Sequence, residues 1–454
     1  MTITRTLRIL LFSSLMSLFA VGTQAQEELL FSIHGSNTVG AKLGPALAES
    51  YLKYLGAESV GIFPTGYENE VKVTGFLPSK GQLASIYIAA HGSSSGFKAL
   101  ANGKGQIAAA SRAIKSKEQA MLSEMGDFST REAEYVVGID GLAIVVNPGN
   151  SVEKLDIKDV ARLFSGEITN WKELGGADLP VSLFARDNRS GTWDTFKNLV
   201  LAKKYKLSPK AERFESNTVL SDRVSSTPGG IGFVSLNTIG RAKPLMISEG
   251  TNLALKPELL HVSTEDYVLS RRLYMYLPEK GADPDALDFL RYATSDLAQP
   301  VVASVGYVHQ TVELMTPDLK SAPQDYQQIV DQYDRASVNF RFAQGRAQLD
   351  NKAVSDIERL ARFIERQPGE VLLIGFAEQS DHSRNADLLA KLRADVVRRA
   401  LIKAGISRKK IDHRGYGQYM ALSSADSLAS KIRNRRVEVW VKTNGKATRV
   451  ASAY

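Results

Sequence analysis

The 454-residue chain contains no cysteine. That absence excludes disulfides, zinc–thiolate sites and a thiol nucleophile together, and it is compatible with export without requiring it. Histidine is scarce. The six residues at 34, 91, 261, 309, 382 and 413 show no HxxxH or HExxH spacing, which argues against a metal site. No Gly-x-Ser-x-Gly elbow stands in a plausible acid–histidine order. No basic run interleaves with aromatics to make a nucleic-acid groove, and no train of alternating ten-residue strands suggests a membrane barrel. Beyond the first 25 residues, no apolar run approaches a membrane span.

A hydrophobic share of 43% and a charged share of 23% describe a folded, soluble chain. Its length exceeds one ordinary core and predicts two or three domains. The formal charge of +8 is spread along the sequence, suiting small anions without pointing to nucleic acid. At the N-terminus, Arg5 and Arg8 precede an apolar run over 9–21 and then Gly22, Thr23, Gln24 and Ala25. A basic end, a short apolar stretch and small residues are the three parts of a secretory signal, predicted over 1–25. No cysteine follows it to carry a lipid anchor.

From Leu29 to Thr316, apolar strand-like runs alternate with amphipathic stretches. Strands are expected over 30–34, 85–89 and 142–146, and a helix over 41–55 with Leu43, Leu47 and Tyr51 on one face. This pattern predicts an α/β architecture with largely parallel sheets. Prolines and polar residues over 317–336 read as a linker. Residues 337–443 then read as a compact β-α-β-α-β unit: strands at 338–342, 371–374 and 436–441, helices at 351–365 and 386–404, and a tail over 444–454.

Four short polar stretches sit between predicted strands and helices. They are 35–38 (Gly-Ser-Asn-Thr), 92–96 (Gly-Ser-Ser-Ser-Gly), 110–112 (Ala-Ser-Arg) and 186–192 (Arg-Asp-Asn-Arg-Ser-Gly-Thr). The first turn of a helix carries unpaired N–H groups and partial positive charge. Ser and Thr add hydroxyls there, and Gly lets backbone approach a ligand. Each stretch alone reads as an ordinary N-cap. Four together read as a socket for a tetrahedral oxyanion, with Arg186 as a forked donor. Ser190 lies in this nest with nothing to activate it as a nucleophile, so the expectation is a binding protein without cofactor, not an enzyme. His34 and His91 flank two of the loops, where structural roles are the more common.

These stretches, with 140–148, 164–171, 229–233 and 270–276 in order, make residues 29–316 resemble the PstS-type phosphate-binding proteins of ABC uptake systems. The resemblance implies a two-lobed periplasmic-binding-protein (type II) fold, with a second lobe at about 145–235, closing on one phosphate and serving an ABC permease. It assigns Thr38, Ser93, Ser111, Arg186, Ser190, Gly191 and Thr192 to the anion, and Ser36, Arg112 and Asp140 are the further candidate contacts. Many members carry Asp where this chain has Arg112. An acceptor is needed to prefer protonated phosphate over sulfate, and Asp140 is the candidate, its other reading being a hinge salt bridge. Phosphate leads; sulfate or another oxyanion is the alternative.

The unit over 337–443 resembles the OmpA-like peptidoglycan-binding domain through 338–342, 374–378, 392–397, 415–417 and 434–439. The resemblance implies that an acid and an Arg fifteen residues later grip an amino-acid-like group of the stem peptide; here these are Glu378 and Arg393. Their other reading is a surface pair of little weight. Asn434, Arg435 and Arg436 either support the adjoining loop or cap the strand edge. The combined expectation is a periplasmic oxyanion-binding protein docked on peptidoglycan at the cell wall or outer membrane. The competing reading is an envelope scaffold or adhesin.

Overall fold

A computed structural model describes residues 27–188, 190–250, 253–320, 322–343, 348–378 and 383–443. The expected signal at 1–25 and the tail at 444–454 lie outside these described residues.

The N-terminal two-thirds is organised by one long strand, Glu134–Val146. Its first half pairs antiparallel with Ser270–Tyr276 and its second half with Gly230–Ser235, so it belongs to two lobes at once. Among the described residues the sheet has eleven strands. It runs from Glu58–Pro64 through Glu70–Leu77, Gln82–Ala90, Glu27–Gly35 and Ile107–Ala110 to the Ser270 strand, then across the hinge strand to the second lobe. Apolar runs make the central strands. Ile107–Ala110 and residues 136–146 are buried throughout, as strands covered on both faces must be.

The expectation of largely parallel sheets needs correction. The segment 58–90 is an antiparallel three-stranded meander, and the pairings around the hinge strand are antiparallel too. The meander's first two strands went unread because their burial is partial, so no continuous apolar run marks them.

Each lobe has its own core. The first gathers Phe31, Leu47, Tyr51, Ile86 and Phe289; the second gathers Phe164, Phe196, Phe233 and Trp171. Phe196 and Phe233 stack with ring centroids 4.0 Å apart. The second core continues through Leu245, Ile247, Val262 and Tyr267, so the lobe runs well past the expected 235.

The C-terminal unit has a five-stranded sheet among the described residues, ordered Leu314–Met315, Asp334–Arg341, Arg436–Thr443, Gly369–Gly375 and Ile411–Gly415. Helices Asn351–Arg366 and Ser383–Lys403 cover one face, burying Leu360 and Val397 against Phe340 and Val439. The strand Ile411–Gly415 adds one to the predicted set. The 317–336 linker is also corrected: it contains a helix, Gln324–Val330, and the first residues of a strand. Tyr326 and Val330, one turn apart, bury against Leu372 and Trp440 and pin this helix to the sheet. Among the described residues no helix is long and apolar enough to cross a membrane.

Candidate functional site

The first loop begins where the strand Glu27–Gly35 ends. Gly35 has φ +140, and a Cβ there would lie 2.0 Å from the Ala109 carbonyl oxygen, so only glycine fits. Ser36 is fully buried, and among the described residues its Oγ and the Asn37 Oδ1 have no hydrogen-bond partner. Buried polar atoms of this kind are costly unless a ligand or water completes them. Thr38 follows at the start of the next helical turn.

The second loop places Ser93 at the start of the helix Ser93–Ala101, its Oγ accepting from the Ser111 N–H at 3.2 Å. Ser111, buried at the end of Ile107–Ala110, points its hydroxyl toward the cleft. The fourth loop follows the strand Ser182–Arg186. Ser190 caps Gly191–Phe196 by accepting from Trp193 N–H at 3.3 Å. Arg186 donates to the Phe214 carbonyl at 3.2 Å, to that of Glu215, and to Thr192 Oγ1 at 3.4 Å. Burial lowers the Arg186 pKa from its ordinary value, a cost that a bound anion would offset.

These loops meet at a residue that the sequence reading missed. Arg271 donates to Thr38 Oγ1 at 2.7 Å, to Ser111 Oγ at 3.1 Å and to the Gly191 carbonyl at 3.2 Å. Its Nε donates to Asp140 Oδ2 at 3.1 Å, where Thr195 Oγ1 also donates at 2.6 Å. Thr38 and Ser111 come from one lobe and Gly191 from the other. A Cβ on Gly191 would lie 2.6 Å from Thr38 Cα, so the lobes are in contact here. Tyr307 ties the Thr38 carbonyl from behind at 2.6 Å.

The structure thus gathers Thr38, Ser111, Asp140 and Gly191 around one guanidinium, with Thr192 and Arg186 beside it. Asp140 sits in an ion pair with Arg271. Arg112 does not join the group. It forks onto Glu118 at 2.7 and 2.8 Å and touches Ser94 at 3.0 Å. Burial alone would raise the Glu118 pKa, but Arg112 and the surrounding donors hold it below its ordinary value. The signal for Arg271 was its neighbour. Consecutive strand residues face opposite sides, so Arg271 and Arg272 at the head of a buried strand cannot both face solvent. His91 bonds Glu70 at 2.9 Å, while burial lowers the His34 pKa; neither reaches a socket hydroxyl.

In the C-terminal unit Glu378 is buried, and Arg435 Nε lies 3.2 Å from its carboxylate. Arg393 donates to the Phe376 carbonyl at 3.0 Å. Asn434 supports the adjoining loop, accepting from Leu422 N–H at 2.8 Å and Ser423 N–H at 3.2 Å. Arg436 stacks on Phe376 with its guanidinium 3.9 Å from the ring centroid and pairs with Glu438 at 2.8 Å. The acid of this pocket is therefore engaged by a buried arginine of its own fold.

Comparison with known proteins agrees with this division. The PBP superfamily domain model matches residues 68–296, and the OmpA family model matches 341–435. The phosphate-binding protein PstS of Borreliella burgdorferi is 28% identical over 66% of this chain and 97% of its own. That of Bacillus subtilis is 27% identical over 52% and 74%. A crystal structure of an ABC-type phosphate transport receptor from Vibrio cholerae is 24% identical, covering 61% of this chain and 99% of its own with a TM-score of 0.47. The matched relatives are binding proteins, not enzymes. The chain belongs to the PBP superfamily and carries an OmpA family domain toward its C-terminal end.

Proposed function

We propose that this is an exported periplasmic protein that binds inorganic phosphate between its lobes and is held near peptidoglycan by its OmpA family domain. The observation that carries the anion half is Arg271 joining Thr38 and Ser111 of one lobe to Gly191 of the other. Hydroxyls, a helix N-terminus and two buried guanidiniums, accompanied by Asp140, Asp187 and Asp194, form a polar socket of the kind that can receive a tetrahedral oxyanion. The Ser36 and Asn37 oxygens, without a hydrogen-bond partner among the described residues, offer further polar contacts to such an anion. The names of the PstS relatives favour phosphate among oxyanions. Ser93, Ser190 and Thr192 complete the proposed contacts, whereas Arg112 is assigned to fixing Glu118. Asp140 orients Arg271 and is the acceptor for the phosphate proton, which sulfate lacks.

Calorimetric titration of residues 26–454 with phosphate and then sulfate tests this reading. Saturable phosphate binding with sulfate silent is expected; silence to both from folded, ligand-stripped protein overturns it. Retention on purified sacculi tests the wall-binding half. A wall-held protein diffuses poorly, so local capture or sensing fits better than shuttling to an ABC permease. Stimulation of a permease in vesicles by the loaded protein would contradict that preference.

A further inference from the structure

The strand Ser270–Tyr276 carries two arginines that face different partners. Arg271 enters the anion socket. Arg272 forks onto Glu265 at 2.7 and 2.9 Å and reaches Asp350 at 2.7 Å. Asp350 is the N-cap of the helix Asn351–Arg366, accepting from the Ala353 N–H at 2.8 Å. One peptide bond therefore separates the proposed ligand contact from the OmpA family domain. Glu265 holds this junction in a left-handed backbone conformation, φ +59, which a non-glycine residue keeps only when its surroundings fix it.

From this junction the domain reaches both lobes. On the first lobe, Asn351 donates to the Ser129 carbonyl at 2.9 Å and to Glu134 at 3.1 Å, and Arg131 donates to Glu358 at 2.5 Å. On the second, Leu422 packs into the lobe's own core, Ser423 donates to Glu249 at 2.7 Å, and Arg433 pairs with the same carboxylate. Arg341 adds a bond to Asp266 at 2.6 Å. A cavity of about 1230 Å³ lies between, with Ser93, Ser111 and Arg271 on one side and Arg341 and Arg433 on the other. The face that the domain grips is thus composite, and the lobes that form it touch at Thr38 and Gly191.

We propose that the OmpA family domain is a clamp across the hinge, so that closure of the lobes on the anion and docking of this domain stabilise each other. A domain bound to two bodies favours the arrangement in which both contacts are made together. Linkage makes the effect reciprocal: the clamp slows release of the anion, and the anion holds the domain in its docked position. The coupling to phosphate rests on the function proposed above, whereas the clamping of the lobes does not.

The absence of native cysteine permits a direct test. Spin labels at Lys53→Cys and Lys210→Cys, both exposed and one on each lobe, report the opening of the cleft in the full chain. Without phosphate, Glu249→Arg sets like charges against Arg433, and a second, longer distance population is expected to appear. Glu249→Arg with Arg433→Glu restores the pair and is expected to restore the single short distance. Asn351→Ala with Glu358→Ala, which removes the Asn351 bonds and the Arg131 ion pair to the first lobe, is expected to lengthen the distance in the same sense. In stopped-flow release of phosphate, the single charge reversal is expected to raise the rate about 10-fold, within the range of ordinary coupling. An unchanged distance distribution both in Glu249→Arg and in Asn351→Ala with Glu358→Ala overturns the clamp. A changed distribution in a protein that binds no phosphate retains the clamp and overturns the phosphate reading instead.

Discussion

The two ligand sites suggested by the sequence are built on different plans. Between the lobes, the buried Arg271 pairs with the buried Asp140 and lies 4.0 Å from the more exposed Asp194, the buried Arg186 lies 3.7 Å from Asp187, and among the described residues the oxygens of Ser36 and Asn37 have no hydrogen-bond partner. In the C-terminal unit, Glu378 is met by Arg435, and Glu438 by Arg436. The first site gathers hydroxyls and a guanidinium from two lobes around one point. The second neutralises its acid within the fold. Shared family motifs therefore do not imply equal dependence on how domains are arranged: the first site exists only where two lobes meet, and the second is held within one unit.

Removing the charged centre of each site should sharpen this contrast. Arg271→Ala takes a donor from both lobes and strands Asp140, and loss of a buried partner costs about 3–5 kcal/mol. Phosphate binding should fall beyond calorimetric detection, and Arg271→Lys should recover only part of it because the fork is lost. Glu378→Ala should instead cost the C-terminal unit about 3 kcal/mol of stability by leaving Arg435 buried and unpaired. That loss would appear as an earlier unfolding transition with phosphate affinity unchanged. An effect below about 1 kcal/mol would mean that the pair behaves as a surface contact.

Gly191→Ala tests the closed lobes. Its Cβ would overlap Thr38, and overpacking of this kind costs about 1–3 kcal/mol. Phosphate affinity should drop by about 10-fold while each lobe keeps its fold.

The junction has a pH signature. Burial would raise the Glu265 pKa, but Arg272 dominates and holds it down at about 2 from an ordinary 4.5. A depressed carboxylate stabilises the folded arrangement fully above its ordinary pKa and loses that contribution as pH falls through the depressed one. Asp350, also held low by Arg272 against the effect of burial, acts in the same sense. Glu134, bonded to Asn351 and with its pKa raised by burial, acts in the opposite sense, so amide exchange at 129–134 should slow as pH falls toward about 4.5 and accelerate relative to intrinsic rates below it.

The smallest effect should come from Arg112→Ala. Because Arg112 pairs with Glu118 away from the socket, phosphate affinity should change less than about 3-fold, a fraction of one ordinary hydrogen bond.

The four loops were legible because Gly, Ser and Thr at strand–helix junctions are local signals, and the structure brings Thr38, Ser111, Gly191 and Thr192 close together. Arg271 was not legible in the same way. Its role depends on a strand about 80 residues beyond the last loop lying next to the hinge strand, a pairing no local pattern encodes. Glu378 shows the same limit. Its spacing to Arg393 was visible, but Arg435, its partner, arrives on the far side of the unit's last helix. The helix Gln324–Val330 was missed because two prolines and a short apolar pattern resemble a linker until Trp440 is there to receive Tyr326.

The most direct test of the central claim is a crystal structure of the full chain grown with phosphate. The account predicts one tetrahedral anion between the lobes, within hydrogen-bond distance of Arg271, Arg186, Thr38 and Ser111. An anion bound elsewhere, with Arg271 still engaging Thr38, Ser111 and Gly191 around an empty socket, would contradict it.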